Sequence, residues 1–405
     1  MEEQNRPQPR PARRKKSPRR TDFAPLRSAL VTIIACVLCV AITAGVMNLM
    51  FFRRFGGVSN YKMARKLIEV KEVIDKNYIG DEDAAAIGHS ASAAMVSALG
   101  DQWSYYMTPE EYKAYQMYSA NEYAGIGVTI QAEASGGGYQ IVAVTAGSPA
   151  EQAGLKAGDV ILSVDGTEVS GKTLSDVQQM IRAKLDKTIT FSVRGEDGKT
   201  RSVDVDCTVI RTNPVDFKML DGSVGYIQIN NFESGSGEGA VKAIDQLLSD
   251  GAVSLVFDVR GNPGGKLSEL VTLLDHILPE GDIFVSVDKA GKETVTKSDN
   301  VCVKVPMAVL INGSTYSAAE FFAAALREYD WATLVGENTT GKGRSQTTLV
   351  LSDGSAVHIS SNKYLTPHRV DLSEQGGLVP DNTIQPGDDP ENDLQLKAAI
   401  AATQK

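Results

Sequence analysis

The segment from Ala29 to Phe52 contains no charged residue and is rich in Val, Ile, Leu and Met. A segment of this length and composition can span a lipid bilayer as an α-helix. Residues 1–28 ahead of it are rich in proline and in basic residues, which predicts a disordered tail. The tail carries more positive charge than Arg53 and Arg54 behind the segment, so the N-terminus is expected to stay in the cytoplasm. We therefore predict an uncleaved, single-pass anchor at residues 29–52. A cleaved signal peptide is the competing interpretation.

The length of 405 residues predicts two or three folded units. The chain has 41 Lys and Arg against 50 Asp and Glu, and many of the basic residues lie in the tail. Residues 57–405 are therefore acidic, which disfavours a nucleic-acid partner. No Cys/His cluster has metal-ligand spacing, so neither a metal nor another cofactor is predicted. Cys207 and Cys302 fall in the exported part, where a disulfide and two buried free thiols are both possible.

Ser317 and Lys342 form the strongest candidate site. Ser317 follows an apolar run, Val305 to Ile311, which is typical of a strand, and precedes an alanine-rich run typical of a helix. A serine on such a turn lies near the positive end of the helix dipole, where developing negative charge is stabilised. Lys342 has a glycine on each side, which allows a close approach of the backbone to another element. A serine and a lysine can perform acyl transfer without histidine when burial lowers the lysine pKa.

Simpler interpretations exist for both residues. A serine before a helix is most often its N-cap, and Gly-Lys-Gly is most often an exposed turn. The spacing of Gly336, Gly341 and Lys342 also matches a phosphate-binding loop. That interpretation is disfavoured because Gly343 replaces the Ser or Thr that binds Mg²⁺, and because a strand-like run follows.

The two segments resemble the C-terminal processing (tail-specific) serine peptidases. That family has the pattern Asn-x-x-Ser-Ala-Ser-Ala-Ser-Glu, followed by Gly-Lys-Gly-x-x-Gln. On this chain the resemblance places the nucleophile at Ser317, the general base at Lys342 and a lysine-orienting amide at Gln346. It also implies an oxyanion hole built from the amides of Ala318 and of Gly264 or Gly265, in the run Asp-Val-Arg-Gly-Asn-Pro-Gly-Gly. Thr315, Tyr316 and Ala319 depart from the family's small residues, and the bulky Tyr316 bears on the shape of the cleft.

Residues 121–211 resemble a PDZ domain. The run Ser148-Pro149-Ala150, followed by Gly154-Leu155 and Gly158-Asp159-Val160-Ile161, matches that family. The segment Gly125-Ile126-Gly127-Val128 matches the PDZ loop that binds a peptide's C-terminal carboxylate through backbone N–H groups. On its residues alone, Gly-Ile-Gly most simply starts a strand.

We therefore predict an α/β catalytic core with a mixed sheet over residues 212–405, preceded by an inserted β-rich PDZ domain and by a helical collar at residues 57–120. The predicted function is membrane-anchored serine endopeptidase, acting outside a bacterial-type cell membrane on proteins with accessible, apolar C-terminal tails. The collar and the predicted C-terminal helix from Asp393 to Ala402 are candidate surfaces for homo-oligomerisation, although amphipathic helices more often pack within their own chain. A Ser–His–Asp hydrolase is disfavoured, because Gly-x-Ser-x-Gly is absent around Ser317. A peptide-binding scaffold with an inactive core is the alternative of another class.

Overall fold

The computed structural model describes residues 24–54, 56–387, 389 and 392–404. The chain divides into two compact units, one ending at Ala84 and the other beginning at Ala85. The first unit contains the helices α1 (Ala24–Arg54) and α2 (Val58–Asn77). Within the described residues, α1 is the one helix that is long and apolar enough to cross a membrane, over Ser28–Arg54. The prediction of a disordered tail over residues 1–28 is wrong for residues 24–28, which are helical. Residues 1–23 lie outside the described residues.

The second unit begins with two helices and a short strand. Helix α3 (Ala84–Ser97) is followed by the short strand β1 (Tyr105–Met107) and by helix α4 (Pro109–Ser119). Thr108 caps α4: its hydroxyl accepts from the amide of Glu111, while the Glu111 carboxylate accepts from the amide of Thr108. Such a capping box fixes the start of a helix.

Residues 122–211 form the predicted β-rich module. Its elements are seven strands and two helices: β2 (Glu122–Gly125), β3 (Val128–Ala132), β4 (Tyr139–Val144), α5 (Pro149–Gln152), β5 (Val160–Val164), β6 (Thr167–Glu168), α6 (Leu174–Arg182), β7 (Lys187–Arg194) and β8 (Thr200–Arg211). The strand order is β2-β8-β7-β5-β4-β3, with β6 beside β5. The interpretation that Gly125-Ile126-Gly127 simply starts a strand is wrong in one respect. Strand β2 ends at Gly125 and β3 begins at Val128; between them, Gly127 adopts φ 85° and Ile126 packs into the module's own core.

The core domain contains a mostly parallel sheet of six strands in the order β18-β15-β14-β11-β10-β9, of which only β9 is antiparallel to its neighbour. Its strands are β9 (Val215–Leu220), β10 (Val224–Ile229), β11 (Ser254–Asp258), β14 (Met307–Ile311), β15 (Ala332–Gly336) and β18 (Asn382–Thr383). Every residue of β11 and of β14 is buried. Continuous apolar runs are typical of central parallel strands, which are covered on both faces.

A second, antiparallel sheet lies in the same unit. It contains β12 (Gly281–Val287), β13 (Glu293–Ser298), β16 (Arg344–Val350) and β17 (Ala356–Leu365), together with β1. Strand β17 pairs with β16 along one edge, and with β1 and β12 along the other. The predicted mixed α/β core is therefore confirmed, in the form of two separate sheets.

Five helices complete the core domain: α7 (Ser236–Ser249), α8 (Leu267–Ile277), α9 (Ala318–Glu328), α10 (Leu372–Gln375) and α11 (Leu394–Ala402). All residues of α9 from Ala318 to Leu326 are buried. Its alanines allow close packing on every side, while Phe322 fills the core against Phe257, with ring centroids 5.3 Å apart. A helix that is apolar all round belongs in the interior. This burial fixes the start of α9, where Ser317 lies.

Hydrogen bonds at Asn121 tie the module to the core domain. Asn121, just ahead of β2, donates from its side chain to the carbonyl of Ser234 and accepts at its own carbonyl from the amide of Thr212. Entry into the module and exit from it are thus fastened to the same core loop. That loop also pairs with the Gly-Gly turn, since the Phe232 amide donates to the Gly264 carbonyl.

Candidate active site

Three neighbouring parallel strands bring the predicted site residues together. The order β15-β14-β11 places the carboxyl ends of these strands side by side. The Gly264-Gly265 turn follows β11, Ser317 follows β14, and Lys342 follows β15. In parallel α/β sheets, ligands bind at this edge. The three segments line one cavity of about 340 Å³, which includes Ser317, Ala318, Gly264, Gly265, Lys342 and Gln346.

Ser317 adopts a strained backbone conformation. Its φ of 59° and ψ of −129° lie in a region that residues with a side chain rarely occupy. Such strain persists only where the surroundings enforce it, and it is frequent at functional sites. Here the Thr315 hydroxyl donates to the carbonyl of Val259, and the Tyr316 amide donates to the carbonyl of Asn262. These bonds tie the serine turn to the loop after β11. Ser314, the neighbouring serine, is exposed and does not line the cavity.

The carboxylate of Glu320 connects the serine turn to the lysine loop. The side chain is fully buried. One oxygen accepts from the amides of Ser317 (2.9 Å) and Lys342 (2.8 Å). The other accepts from the amide of Gly341 (2.7 Å) and from the hydroxyl of Thr339 (2.5 Å). A buried carboxylate is stabilised only when its oxygens are well paired. Glu320 thereby holds the backbones of both candidate catalytic residues on one group.

The glycines beside Lys342 permit the close approach that the sequence predicts. A Cβ on Gly341 would lie 2.7 Å from the Gly377 amide nitrogen, and one on Gly343 would lie 2.5 Å from Asp371. Burial lowers the pKa of Lys342 to about 8, and the nearby Asp101 and Glu320 carboxylates oppose that shift. The residues that follow form strand β16, whereas a phosphate-binding loop is followed by a helix. This difference also disfavours a phosphate-binding loop.

The Lys342 ammonium nitrogen lies over aromatic rings. It is 4.5 Å from the ring centroid of Trp103 and 5.8 Å from that of Tyr316. The two rings are 5.7 Å apart. Within the described part of the chain, the Lys342 nitrogen and the Ser317 hydroxyl make no hydrogen bond to each other. Trp103 belongs to the segment before β1 that the sequence places in a collar, and only the tertiary contact shows its relation to the lysine.

Of the paired glycines, Gly264 lies against the serine. A Cβ on Gly264 would meet the Ala318 amide nitrogen and the Ser317 Cβ, each at 2.8 Å. Its φ of 85° also favours glycine. The Gly264 amide donates to the Asn262 side chain at 2.8 Å. Gly265 instead packs against the backbone of Phe232, which a Cβ on Gly265 would meet at 2.4 Å.

Gln346 lies in the cavity wall, four residues beyond Lys342. Its amide nitrogen donates to the carbonyl of Arg344 (3.2 Å) and to the hydroxyl of Ser360 (3.1 Å). Neither bond reaches Lys342, so an orienting role for Gln346 stays a prediction.

His358 also lines the cavity, although its strand gave no sign of this. Its Nδ1 pairs with the Thr348 hydroxyl at 2.8 Å, and its ring lies 4.8 Å from Tyr105 and 5.6 Å from Tyr115. Burial and the nearby Lys342 charge lower the pKa of His358 to about 4. Within the described ranges, no histidine hydrogen-bonds to Ser317. A Ser–His–Asp arrangement therefore has no structural support.

A second groove lies on the β-rich module. Gly125, Ile126, Gly127 and Val128 line it together with residues of β3 and α6, among them Arg182. Strand β3 is the last strand of its sheet, so its outer edge is open to an added strand. A Cβ on Gly127 would lie 2.2 Å from the Cβ of Ser148, which explains the glycine there. Arg182 adds a positive charge that sequence reasoning missed.

The cysteines are free thiols in this structure, with Cys207 buried and Cys302 partly buried. The two thiols the sequence allows are thus present, in place of a disulfide. Within the described residues there is no group of three or more His, Cys, Asp or Glu side chains arranged to hold a metal ion.

The comparisons with known proteins agree with this geometry. The model of peptidase family S41 matches residues 223–384, and a PDZ domain model matches residues 140–195. A probable CtpA-like serine protease of Staphylococcus aureus is 30% identical over 87% of this chain and 71% of that protein. The chain belongs to the C-terminal processing serine peptidases of family S41.

Two further relatives support the membership in this family. A chloroplastic carboxyl-terminal-processing peptidase of Arabidopsis thaliana is 32% identical over 77% of this chain and 65% of that protein. A solved photosystem II D1 C-terminal processing protease is 28% identical, with a TM-score of 0.50 and coverage of 87% of this chain and 92% of that chain. The protein is thus a serine peptidase with a PDZ domain, as the sequence predicts.

Proposed function

We propose that this peptidase is anchored in a membrane and cleaves exported proteins whose C-terminal tails bind its PDZ domain, using Ser317 as nucleophile and Lys342 as general base. The observation that carries the proposal is the meeting of both residues in one cavity, with their backbones joined through the buried Glu320 carboxylate.

The base role rests on the environment of Lys342. A lysine with a pKa near 8 is partly neutral at physiological pH, whereas an ordinary lysine is almost wholly protonated. The neutral amine takes the proton of the Ser317 hydroxyl as the oxygen bonds to the peptide carbonyl carbon. The carbonyl oxygen then carries the negative charge. When the C–N bond breaks, the Lys342 ammonium returns the proton to the leaving amine, and a water attacks the acyl-enzyme with the same base.

Backbone amides are the proposed donors to the oxyanion. The Ala318 amide begins helix α9, where the helix dipole also favours negative charge. The second donor is the amide of Gly264 or of Gly265. Gly264 lies closer to Ser317, but its amide is paired with Asn262 and would have to share or exchange that bond.

Substrate capture is assigned to the PDZ groove. A C-terminal carboxylate bound at Gly125 to Val128 would lie beside Arg182, and the peptide would add as a strand to β3. Binding a chain end in this way selects accessible tails without reading the sequence at the cleaved bond. It also raises the local concentration of the substrate near Ser317.

The membrane assignment rests on α1. Its apolar span and the basic residues ahead of it favour an anchor with the N-terminus in the cytoplasm and the peptidase outside, in a bacterial-type cell membrane. A signal sequence has the same features, so the mature N-terminus of the membrane-bound protein distinguishes the two.

The test compares one tailed substrate protein with a free and with an amidated C-terminus. We expect the wild type to cleave the free form at least several-fold faster, and Ser317→Ala to cleave neither, whereas Ser314→Ala retains most activity. Equal rates for the two substrates would refute tail recognition by the PDZ domain. Full activity in Ser317→Ala would refute the nucleophile. Binding of the tail without cleavage by the wild type would favour the scaffold alternative.

A further inference from the structure

The Lys342 ammonium has two neighbouring aromatic rings beside it. A cation within about 6 Å of a ring centroid is attracted by the electron density of the ring face, most strongly by tryptophan. Both the 4.5 Å distance to Trp103 and the 5.8 Å distance to Tyr316 meet this condition. We call these two residues the aromatic clamp.

Each ring of the clamp belongs to a segment fixed by hydrogen bonds. The Asp101 carboxylate accepts from the Trp103 amide (3.2 Å) and from the Ser104 hydroxyl (2.5 Å), and the Ser104 hydroxyl accepts from the Ser360 amide of β17 (2.9 Å). The strained turn at Ser317 holds Tyr316. The fold therefore fixes the positions of both rings, which come from two segments far apart in the sequence.

The charged groups around Lys342 favour its ammonium form. The carboxylates of Asp101 and Glu320 attract it, and His358 is neutral above a pH of about 4. Glu233 and Lys266 line the same cavity. The rings add to this attraction, but they stabilise only the cation, since a neutral amine gains little from a ring face. Burial acts in the opposite direction by penalising the charge.

We propose that Trp103 and Tyr316 are positioning residues that hold the protonated form of Lys342, so that the lysine must lose its proton and leave the rings before it can accept the proton of Ser317. This rests on the proposed role of Lys342 as the base. Tyr316 stands where the family pattern has a small residue, so the second ring of the clamp is a feature of this chain. The clamp helps to set the pH at which the base becomes available.

A matched pair of variants separates the effect of the aromatic ring on Lys342 from the effect of side-chain size. Trp103→Phe and Trp103→Leu both remove the indole and leave side chains of similar size, but only phenylalanine keeps an aromatic face. The measurement is the rate at which a fluorophosphonate probe labels Ser317 in the full chain in detergent, as a function of pH. We expect the midpoint of the leucine variant to lie below that of the phenylalanine variant by about half a pH unit, from the loss of a ring–cation attraction. Equal midpoints, or a higher midpoint for leucine, would overturn the proposal.

A second measurement does not depend on activity. The chain has two tryptophans, so Trp331→Phe leaves Trp103 as the only one. In Trp331→Phe combined with Ser317→Ala, we expect Trp103 fluorescence to titrate with a midpoint near 8, and Lys342→Met to abolish that titration. A titration that persists without the lysine, or that never occurs, refutes the clamp. If the titration depends on Lys342 but Lys342→Met still cleaves substrate with Ser317 intact, the clamp stands and the base assignment fails.

Discussion

The Glu320 carboxylate offers the sharpest perturbation of the site, because its two oxygens face four donors and no solvent. Glu320→Gln keeps the shape but turns one oxygen into a donor. The amide group is placed at least cost toward Gly341 and Thr339. The threonine oxygen, which accepts from the Leu378 amide at 2.7 Å, can accept a second hydrogen bond when its own proton turns away. The Gly341 amide then loses its partner in a buried position, and the bonds to Ser317 and Lys342 lose the assistance of a negative charge.

The magnitude follows from these losses. A buried donor left unpaired costs about 1–3 kcal/mol, and a hydrogen bond to a charged group is stronger than a neutral one by roughly 1 kcal/mol. The lower cost of burying a neutral amide offsets part of this. We expect a net loss of about 3 kcal/mol in the alignment of the serine turn with the lysine loop, which corresponds to roughly a 100-fold fall in kcat/KM.

The assay measures kcat/KM on an unstructured protein substrate together with the urea midpoint of the full chain in detergent. The control is Glu238→Gln, on the exposed face of α7, where the carboxylate lies 3.9 Å from the ammonium of Lys242. We expect the control to match the wild type in both measurements. If Glu320→Gln kept kcat/KM within about threefold of the control, the carboxylate would not hold the two segments together, and the reasoning would be wrong.

Two other predictions concern the base and the oxyanion site. Lys342→Arg should be nearly as inactive as Lys342→Ala, because a guanidinium does not release its proton at accessible pH. The kcat/KM of the wild type should rise with pH through about 8 as the neutral amine forms. Substantial activity in the arginine variant, or a rate that is flat from pH 6 to 10, would contradict the base role. Gly264→Ala should lower kcat by about 10²-fold or more, because the new Cβ would lie 2.8 Å from both the Ala318 amide nitrogen and the Ser317 Cβ. An unchanged kcat in a correctly folded variant would show that the oxyanion binds elsewhere.

The sequence predicts most elements of the fold, because its apolar patterns and turn residues are local signals. The apolar run that becomes β14 and the alanine-rich run that becomes α9 are examples. The break between β2 and β3 is not predicted, because burial of Ile126 in the module's core overrides the strand-like pattern. The start of α1 at Ala24 is also missed, since helix ends have weak sequence signals.

The site divides in the same way. The resemblance of short segments to the family pattern singles out Ser317, Lys342 and the paired glycines, and the structure brings them to one cavity. Trp103, which lies against Lys342, and His358, which lines the cavity, are not found, because they lie in segments with ordinary patterns. Pairing of β1 and β16 with β17 brings these segments to the site.

What the sequence by itself determined is therefore the chemistry available to this peptidase: a serine, a lysine, glycines that allow close approach, an apolar N-terminal segment and a PDZ domain. What only the tertiary structure decided is the state of that chemistry. The order of β11, β14 and β15 brings three loops to one sheet edge, and Glu320 joins two of them. Burial lowers the lysine pKa, and two aromatic rings from distant segments lie beside its ammonium. These effects depend on solvent exclusion and on distances between segments remote in the chain, which no local pattern encodes.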